Sequence, residues 1–127
     1  MPCPDCGGDE AVFAVPEPLE EYAPQGAVTI GLCADCLRVH PSDDRVTDGD
    51  ARPLGDVVPD GEGGAAFALL VGFLDSLALN REAIVESAEY AEREGVDVHL
   101  ALDRLDQSVS DPHFDVGRRH TQLETFL

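Results

Sequence analysis

Lysine and tryptophan are both missing from this chain of 127 residues, and aromatic residues make up only 6% of it. The eight basic residues are therefore all arginines, and 26 acidic residues bring the formal net charge to −18. Nucleic-acid affinity depends mainly on basic side chains that neutralise phosphates, so this balance argues against DNA or RNA as a partner. Like charges in this number repel one another at low ionic strength, and molar salt screens the repulsion. The composition therefore favours a halophilic protein, adapted to a salt-rich cytoplasm.

A secretory signal and a membrane span are also missing. The chain opens without the basic stretch and apolar core of a signal peptide. Its longest apolar run, residues 65–74, covers ten residues, about half of what a spanning helix needs. We therefore expect a soluble, cytoplasmic protein without membrane contact. In that compartment, cysteines in CxxC pairs favour a metal site over disulfides.

The four cysteines form two CxxC pairs with 26 residues between them. Each CxxC turn places two sulfurs on one tight bend, and two such turns, each at one end of a strand pair, supply four soft ligands at tetrahedral corners. The spacing therefore predicts a zinc ribbon that binds Zn²⁺ through Cys3, Cys6, Cys33 and Cys36. Four thiolates leave no open position for water or substrate, so the predicted site is structural and not catalytic.

A single iron ion in a rubredoxin-like site and a redox-active disulfide pair are the alternatives for these cysteines. Rubredoxins usually repeat CPxCG at the second pair and have an aromatic core, whereas here the second pair reads CADCL and Trp is absent. Gly7 follows the first pair, where a left-handed backbone is often needed. Leu37 stands at the matching place after the second pair, which leaves the geometry of that knuckle open.

Several other polar residues could take part in a site. Arg38 could offset the negative charge of a Zn(Cys)₄ centre or be an ordinary surface residue. His40 could in principle replace a ligand, although four cysteines already fill the site. His99 and Asp103 lie one helical turn apart and are expected to form a solvated pair.

His113 and His120 lie in the tail with Asp111 and Asp115 nearby, at a spacing that matches no metal motif. The chain contains no nucleophile elbow, phosphate-binding glycine loop or dinucleotide fingerprint. With 26 acidic residues in the chain, adjacent carboxylates arise by chance and are expected on a solvated surface. Neither an enzyme nor a small-molecule substrate is indicated.

Three sections follow one another along the chain. Residues 1–41 form the predicted ribbon, with strand candidates at 11–15 and 28–32, whose β-branched residues suit a pleated sheet. Residues 42–64 are rich in Asp, Gly and Pro and are predicted to be an acidic linker. Residues 65–127 are predicted to be a small helical domain with a C-terminal tail. The fold class is therefore α+β, with an N-terminal zinc ribbon packed against a C-terminal three-helix bundle.

The three predicted helices cover residues 65–79, the stretch from Asn80 to Glu94, and the stretch that follows Asp97 as its N-cap. The end of the tail, residues 122–127, is predicted to be a short helix or an edge strand. The first helix is apolar on almost every side, and such helices are normally buried on every side. The ribbon and the tail are expected to cover it within one chain, and a homodimer is the alternative.

The opening MPCPDCGG, the segment CADCLRVHP and the lysine-free acidic composition resemble the small CPxCG-type zinc-finger proteins of halophilic archaea. Many of these are domains of unknown function. The resemblance covers residues 1–41 and implies zinc binding at the four cysteines with a regulatory or adaptor role. The CPDCG knuckle also looks like that of transcription-factor zinc ribbons.

These observations predict a non-enzymatic zinc-binding protein whose ribbon supports an interaction with another protein or with a second copy of the chain. A transcription-related or nucleic-acid-associated ribbon regulator is the first alternative. A rubredoxin-like iron electron carrier is the second.

Overall fold

The computed structural model describes residues 3–42 and 50–125. Within those ranges the N-terminal part forms three strands and the C-terminal part four α-helices, so the α+β fold class is confirmed. The strands are β1 Glu10–Ala14, β2 Thr29–Cys33 and β3 Val39–Pro41, and the helices are α1 Glu62–Phe73, α2 Arg81–Arg93, α3 Val98–Ser108 and α4 Val116–Leu123.

The strands form one antiparallel sheet in the order β1-β2-β3. β1 and β2 each lie one residue from the predicted position, and Glu10 at the start of β1 pairs with Cys33 at the end of β2. Both cysteine pairs therefore come to the same end of these two strands. β3 was not predicted from the sequence, because its three residues, which end at Pro41, are too few to show an alternating pattern.

The predicted linker is structured over the part that the structure describes. Asp50 forms an isolated antiparallel bridge with Val12 of β1. A short 3₁₀ helix follows at Arg52–Leu54, and the side chains of Leu54 and Val58 are buried. One apolar core includes these two residues together with residues of the sheet and of the helices.

Helix α1 begins earlier and ends earlier than the sequence predicts. It starts at Glu62, ahead of Gly63 and Gly64, whose low helix propensity hid the true beginning. The helix needs these glycines, because a Cβ on Gly64 would lie 2.8 Å from the Phe13 ring. After Phe73 the chain continues as the 3₁₀ segment Leu74–Leu79, which has non-helical dihedral angles at Ser76.

The sheet covers α1 within the same chain. A Cβ on Gly72 would lie 2.8 Å from Val39 of β3, so this face of the helix lies directly on the sheet. Leu69 is fully buried, Phe73 is partly buried and Leu79 is exposed. The remaining predicted cover, the C-terminal residues 126–127, lies outside the described residues.

By length and composition, the segment Glu62–Leu79 is apolar enough to cross a membrane, with 18 residues and a mean hydropathy of 1.5. In this fold, however, 61% of the segment is buried by the rest of the chain. Burial of each large apolar side chain contributes about 1.5–3 kcal/mol relative to exposure. Most of the segment thus lies in the core of this fold.

Helices α3 and α4 form a hairpin at the C-terminal end. The Asp97 carboxylate caps α3 by accepting from the Leu100 N–H at 3.1 Å, as predicted, and Asp115 caps α4 by accepting from the Arg118 N–H. The tail therefore contains a fourth helix, which begins at Val116. Its buried residues, Val116 and Leu123, are seven positions apart, too sparse a pattern to reveal a helix in the sequence.

Candidate metal centre

The four predicted ligands lie together at one end of the sheet. The Sγ atoms of Cys3 and Cys36 are 3.7 Å apart, and those of Cys6 and Cys33 are 3.5 Å apart. All four sulfurs lie within 4.8 Å of one another. A tetrahedral ion with metal–sulfur bonds of about 2.3 Å needs sulfurs about 3.8 Å apart. The cluster could therefore hold one metal ion without rearrangement of the backbone.

The two knuckles are built by the same backbone hydrogen bonds. In the first, the Cys3 N–H donates to the Gly8 carbonyl and the Gly7 N–H donates to the Cys3 carbonyl, both at 2.8 Å. In the second, the Cys33 N–H donates to the carbonyl of Arg38, and the N–H of the fourth residue after Cys33 donates to the Cys33 carbonyl, both at 3.0 Å. The two CxxC sequences thus fold into one repeated turn.

The turn requires a left-handed residue, and each knuckle meets this requirement differently. Gly7 has a φ of 78°, which glycine adopts at no steric cost. Leu37 takes the matching conformation, with a φ of 65°, at a cost of roughly 1–2 kcal/mol for a residue with a Cβ. Its side chain is fully buried in the main core, and this burial offsets the strain. The departure from CPxCG therefore anchors the second knuckle in the core.

The cluster is closed on most sides. Cys3, Cys33 and Cys36 are 3%, 0% and 2% exposed, whereas Cys6 is exposed. Burial raises the pKa of the Cys33 thiol to about 12, against the lowering effect of the Cys36 and Asp35 N–H groups. Those two N–H groups donate to the Cys33 sulfur at 3.4 Å. A thiolate at this position therefore requires a cation to balance its charge.

Two basic groups lie against the cluster. A hydrogen bond to Cys36 and the negative charge of Cys36 and Asp5 raise the pKa of Arg38. This contact agrees with the interpretation of Arg38 as a charge-balancing group. His40 Nε2 lies 2.9 Å from an Asp5 carboxylate oxygen and 3.9 Å from the Cys3 sulfur. His40 therefore packs beside the four sulfurs and pairs with the first knuckle.

The connection between α3 and α4, residues 109–115, is hydrogen-bonded to the second knuckle. The Asp111 N–H donates to the Asp35 carbonyl at 3.0 Å, and the Ser110 hydroxyl donates to the Asp35 carboxylate at 3.1 Å. His113 donates to the Cys36 carbonyl from its backbone N–H at 2.9 Å and from Nδ1 at 2.7 Å. The sequence gives no signal for these contacts, because the partners are more than 70 positions apart.

Comparison with known proteins identifies a family for this chain. A family model described as a family of unknown function, DUF6276, matches residues 2–127. The chain belongs to the DUF6276 family. Searches of curated proteins and of solved structures returned no match. The likeness of residues 1–41 to archaeal CPxCG zinc-finger proteins thus remains a prediction.

An open, polar cavity of about 390 Å³ lies beside the cluster in this DUF6276 chain. The cavity is lined by residues on or next to β3, by residues at or after the end of α1, and by one residue of the α3–α4 connection. In that order they are Arg38, Val39 and His40, then Gly72 and Asp75, then His113. Within it, His113 Nε2 lies 3.4 Å from an Asp75 carboxylate oxygen. None of these lining residues is a cysteine, so the cavity lies beside the cluster and is not lined by it.

The remaining histidines take positions that the sequence did not predict. Among the described residues, the hydrogen-bond partner of the Asp103 carboxylate is Gln107, at 3.3 Å, and not His99. His99 Nδ1 instead lies 3.0 Å from His120 Nε2, across the α3–α4 hairpin. The two rings are stacked, with centroids 5.2 Å apart. This pair requires the fourth helix, which the sequence did not reveal.

Proposed function

We propose that the DUF6276 chain is a non-enzymatic zinc protein that presents its helical surface to another protein. The hydrogen bonds from the α3–α4 connection to Asp35 and Cys36 carry this proposal. They join the metal-binding knuckle to the helices, so an ion at the cysteines would fix the helical surface as well as the sheet. Zinc is favoured among metals because closed Cys₄ sites are its usual structural arrangement.

A groove between residues 55–59 and the start of α3 is the surface that best suits a partner. It has a volume of about 470 Å³, and the apolar Val57, Val96 and Leu100 lie beside three charged residues, Asp56, Asp97 and Arg104. Leu100 remains 45% exposed. An apolar centre with a charged rim is the usual anatomy of a protein interface. We expect a protein segment that inserts an apolar side chain and places a basic residue near the two carboxylates.

The partner is tested by capture from cells of the source organism at native salt, with tagged wild-type chain as bait. Leu100→Asp should lose the partner, whereas Val28→Asp should retain it, because Val28 is exposed away from the groove. Both variants should keep the metal and the fold. Equal capture of the partner by the two variants would contradict the assignment of the groove as its binding site. Absence of any reproducible partner would contradict the adaptor role, and a red iron-loaded protein would favour the electron carrier.

Cytoplasmic location and salt adaptation belong to the same proposal. If the charge of −18 is a halophilic feature, screening of self-repulsion should raise the melting temperature steeply between low and molar KCl. Thermal unfolding followed by circular dichroism across that range measures the effect. A flat response would mean that the acidic composition has another cause.

A further inference from the structure

The α3–α4 hairpin holds a second cluster of metal-binding side chains, separate from the cysteines. His99 lies in the first turn of α3, and His120 and Glu124 lie one turn apart at the end of α4. His99 Nδ1 and His120 Nε2 are 3.0 Å apart, and the nearest Glu124 carboxylate oxygen is 3.7 Å from His120 Nε2. One ligand atom from each of the three residues lies within 4.8 Å of the other two.

We propose that His99, His120 and Glu124 form a second metal site, for a divalent transition-metal ion such as Zn²⁺. Zinc–imidazole bonds are about 2.0–2.1 Å long, so two of them at angles between octahedral and tetrahedral place their nitrogens about 2.9–3.4 Å apart. The observed nitrogen separation lies within that range. The Glu124 side chain is 62% exposed and has room to rotate towards the same ion.

A hydrogen bond between two neutral imidazoles would give the same nitrogen separation. Such a bond needs only His99 and His120. Glu124 lies one helical turn after His120, a spacing that brings its carboxylate beside the imidazole. The hydrogen bond between the imidazoles does not use this anionic donor, whereas a metal ion would use all three ligand atoms. Two imidazoles and one carboxylate are a ligand set that suits Zn²⁺, and imidazole also suits Ni²⁺ and Cu²⁺.

The surroundings favour a cation at this position. The chain has a net charge of −18. Arg119, the cationic neighbour of His120, donates instead to Gln122 Oε1 at 3.0 Å and to the Asp75 carbonyl at 3.3 Å. With three protein ligands, the site keeps a coordination position for water, unlike the closed cysteine cluster.

The second site would hold the end of the hairpin that the cysteine cluster does not reach. The α3–α4 connection, residues 109–115, is hydrogen-bonded to the second knuckle. His99 and His120 lie at the opposite, open end of the same two helices. A metal ion there ties the two helix ends together and should stabilise the hairpin independently of the cysteines.

Calorimetric titration with Zn²⁺ tests the proposal on full-length protein that already carries one zinc per chain. The wild type should bind one further equivalent. His120→Ala should weaken that step by more than the roughly 10–100-fold typical of losing an outer-shell partner, and Glu124→Gln should weaken it less. Asp103→Asn, an exposed carboxylate outside the cluster, is the matched control and should bind normally.

With Cu²⁺ as the probe, electron paramagnetic resonance should show nitrogen ligation in the wild type and not in His120→Ala.

A second readout separates ligation from loss of fold. Excess Zn²⁺ should raise the melting temperature of the wild type and of Asp103→Asn, and leave that of His120→Ala unchanged. Each variant should retain its first zinc; if His120→Ala does not, His99→Gln takes its place. The absence of a second equivalent would overturn the proposal, and so would a second equivalent that all the variants bind equally. A protein that lacks the first zinc equivalent but still binds the second would contradict only the cysteine centre and would support the second site.

Discussion

The two cysteine knuckles share one backbone turn, but they are held in place by different means. In the first, no atom of the described residues lies within 4 Å of a Cβ built on Gly7, and Cys6 is exposed. In the second, Leu37 is fully buried in the core, and His113 donates twice to the Cys36 carbonyl. The second knuckle is thus a part of the core, whereas the first meets its surroundings through its cysteine sulfurs and through Asp5. A metal ion at the cysteines would therefore link a peripheral turn to a buried one.

Replacing a cysteine should have the largest effect and should differ between the knuckles. Cys33→Ser removes a ligand and also leaves a hydroxyl at a fully buried position, which adds about 1–3 kcal/mol if the group stays unsatisfied. Cys6→Ser removes a ligand at an exposed position and lacks this second cost. We expect both variants to bind zinc weakly and Cys33→Ser to be the less stable. Zinc analysis and urea unfolding measure the two effects.

Hydrogen exchange sharpens the same comparison. In Cys6→Ser, amide protection should be lost mainly over residues 3–9 and kept in β2. Loss of protection across the whole sheet in Cys6→Ser would contradict the view that the core holds the second knuckle without the first.

At position 37, a glycine substitution should destabilise the protein less than an alanine substitution. Leu37→Ala keeps the left-handed strain and loses buried apolar contacts, at a cost of about 2–5 kcal/mol. Leu37→Gly loses the same contacts but relieves the strain, so it should be the more stable of the two by roughly 1–2 kcal/mol. The mirror change, Gly7→Ala, should cost about the same strain although the space around it is open. Denaturant unfolding measures the order. If Leu37→Ala were more stable than Leu37→Gly, the backbone strain assigned to this position would be contradicted.

Proton competition should weaken metal binding as the pH falls. Burial raises the pKa of the Cys33 thiol to about 12, so this thiol carries a proton at neutral pH until a metal ion displaces it. Each displaced proton lowers the apparent affinity by up to about tenfold for each pH unit of acidification. Zinc release to a colourimetric chelator, measured from pH 8 to pH 5, should rise steadily. Release that does not depend on pH would mean that the ligands are not these thiols.

The sequence predicted the four clustered cysteines because a CxxC pattern is local, and both strands next to them were found to within one residue. It did not predict β3, and at the end of the tail it left a short helix or a strand open over residues 122–127, whereas α4 covers 116–123. Three residues around His40 and an eight-residue helix with two buried side chains carry too little periodicity. The contacts of His113 and the His99–His120 pair were missed for the same reason. Both join segments that are distant in the chain, and one of the segments was not recognised as a helix.

The α3–α4 connection should contribute a smaller stabilisation of the second knuckle. His113→Ala removes the side-chain hydrogen bond to the Cys36 carbonyl, which is worth about 0.5–1.5 kcal/mol. His40→Ala is the matched control at the first knuckle, since it removes a partly exposed contact with Asp5. We expect zinc to dissociate faster from His113→Ala than from His40→Ala. The reverse order would mean that the first knuckle limits release.

X-ray absorption at the zinc K-edge, on protein purified at molar salt and analysed for metal content, tests the central claim most directly. We predict one zinc per chain, with four sulfur neighbours at about 2.3 Å, from Cys3, Cys6, Cys33 and Cys36. Iron in place of zinc, or a metal shell with fewer than four sulfurs, would contradict the assignment of these four cysteines as a closed zinc site.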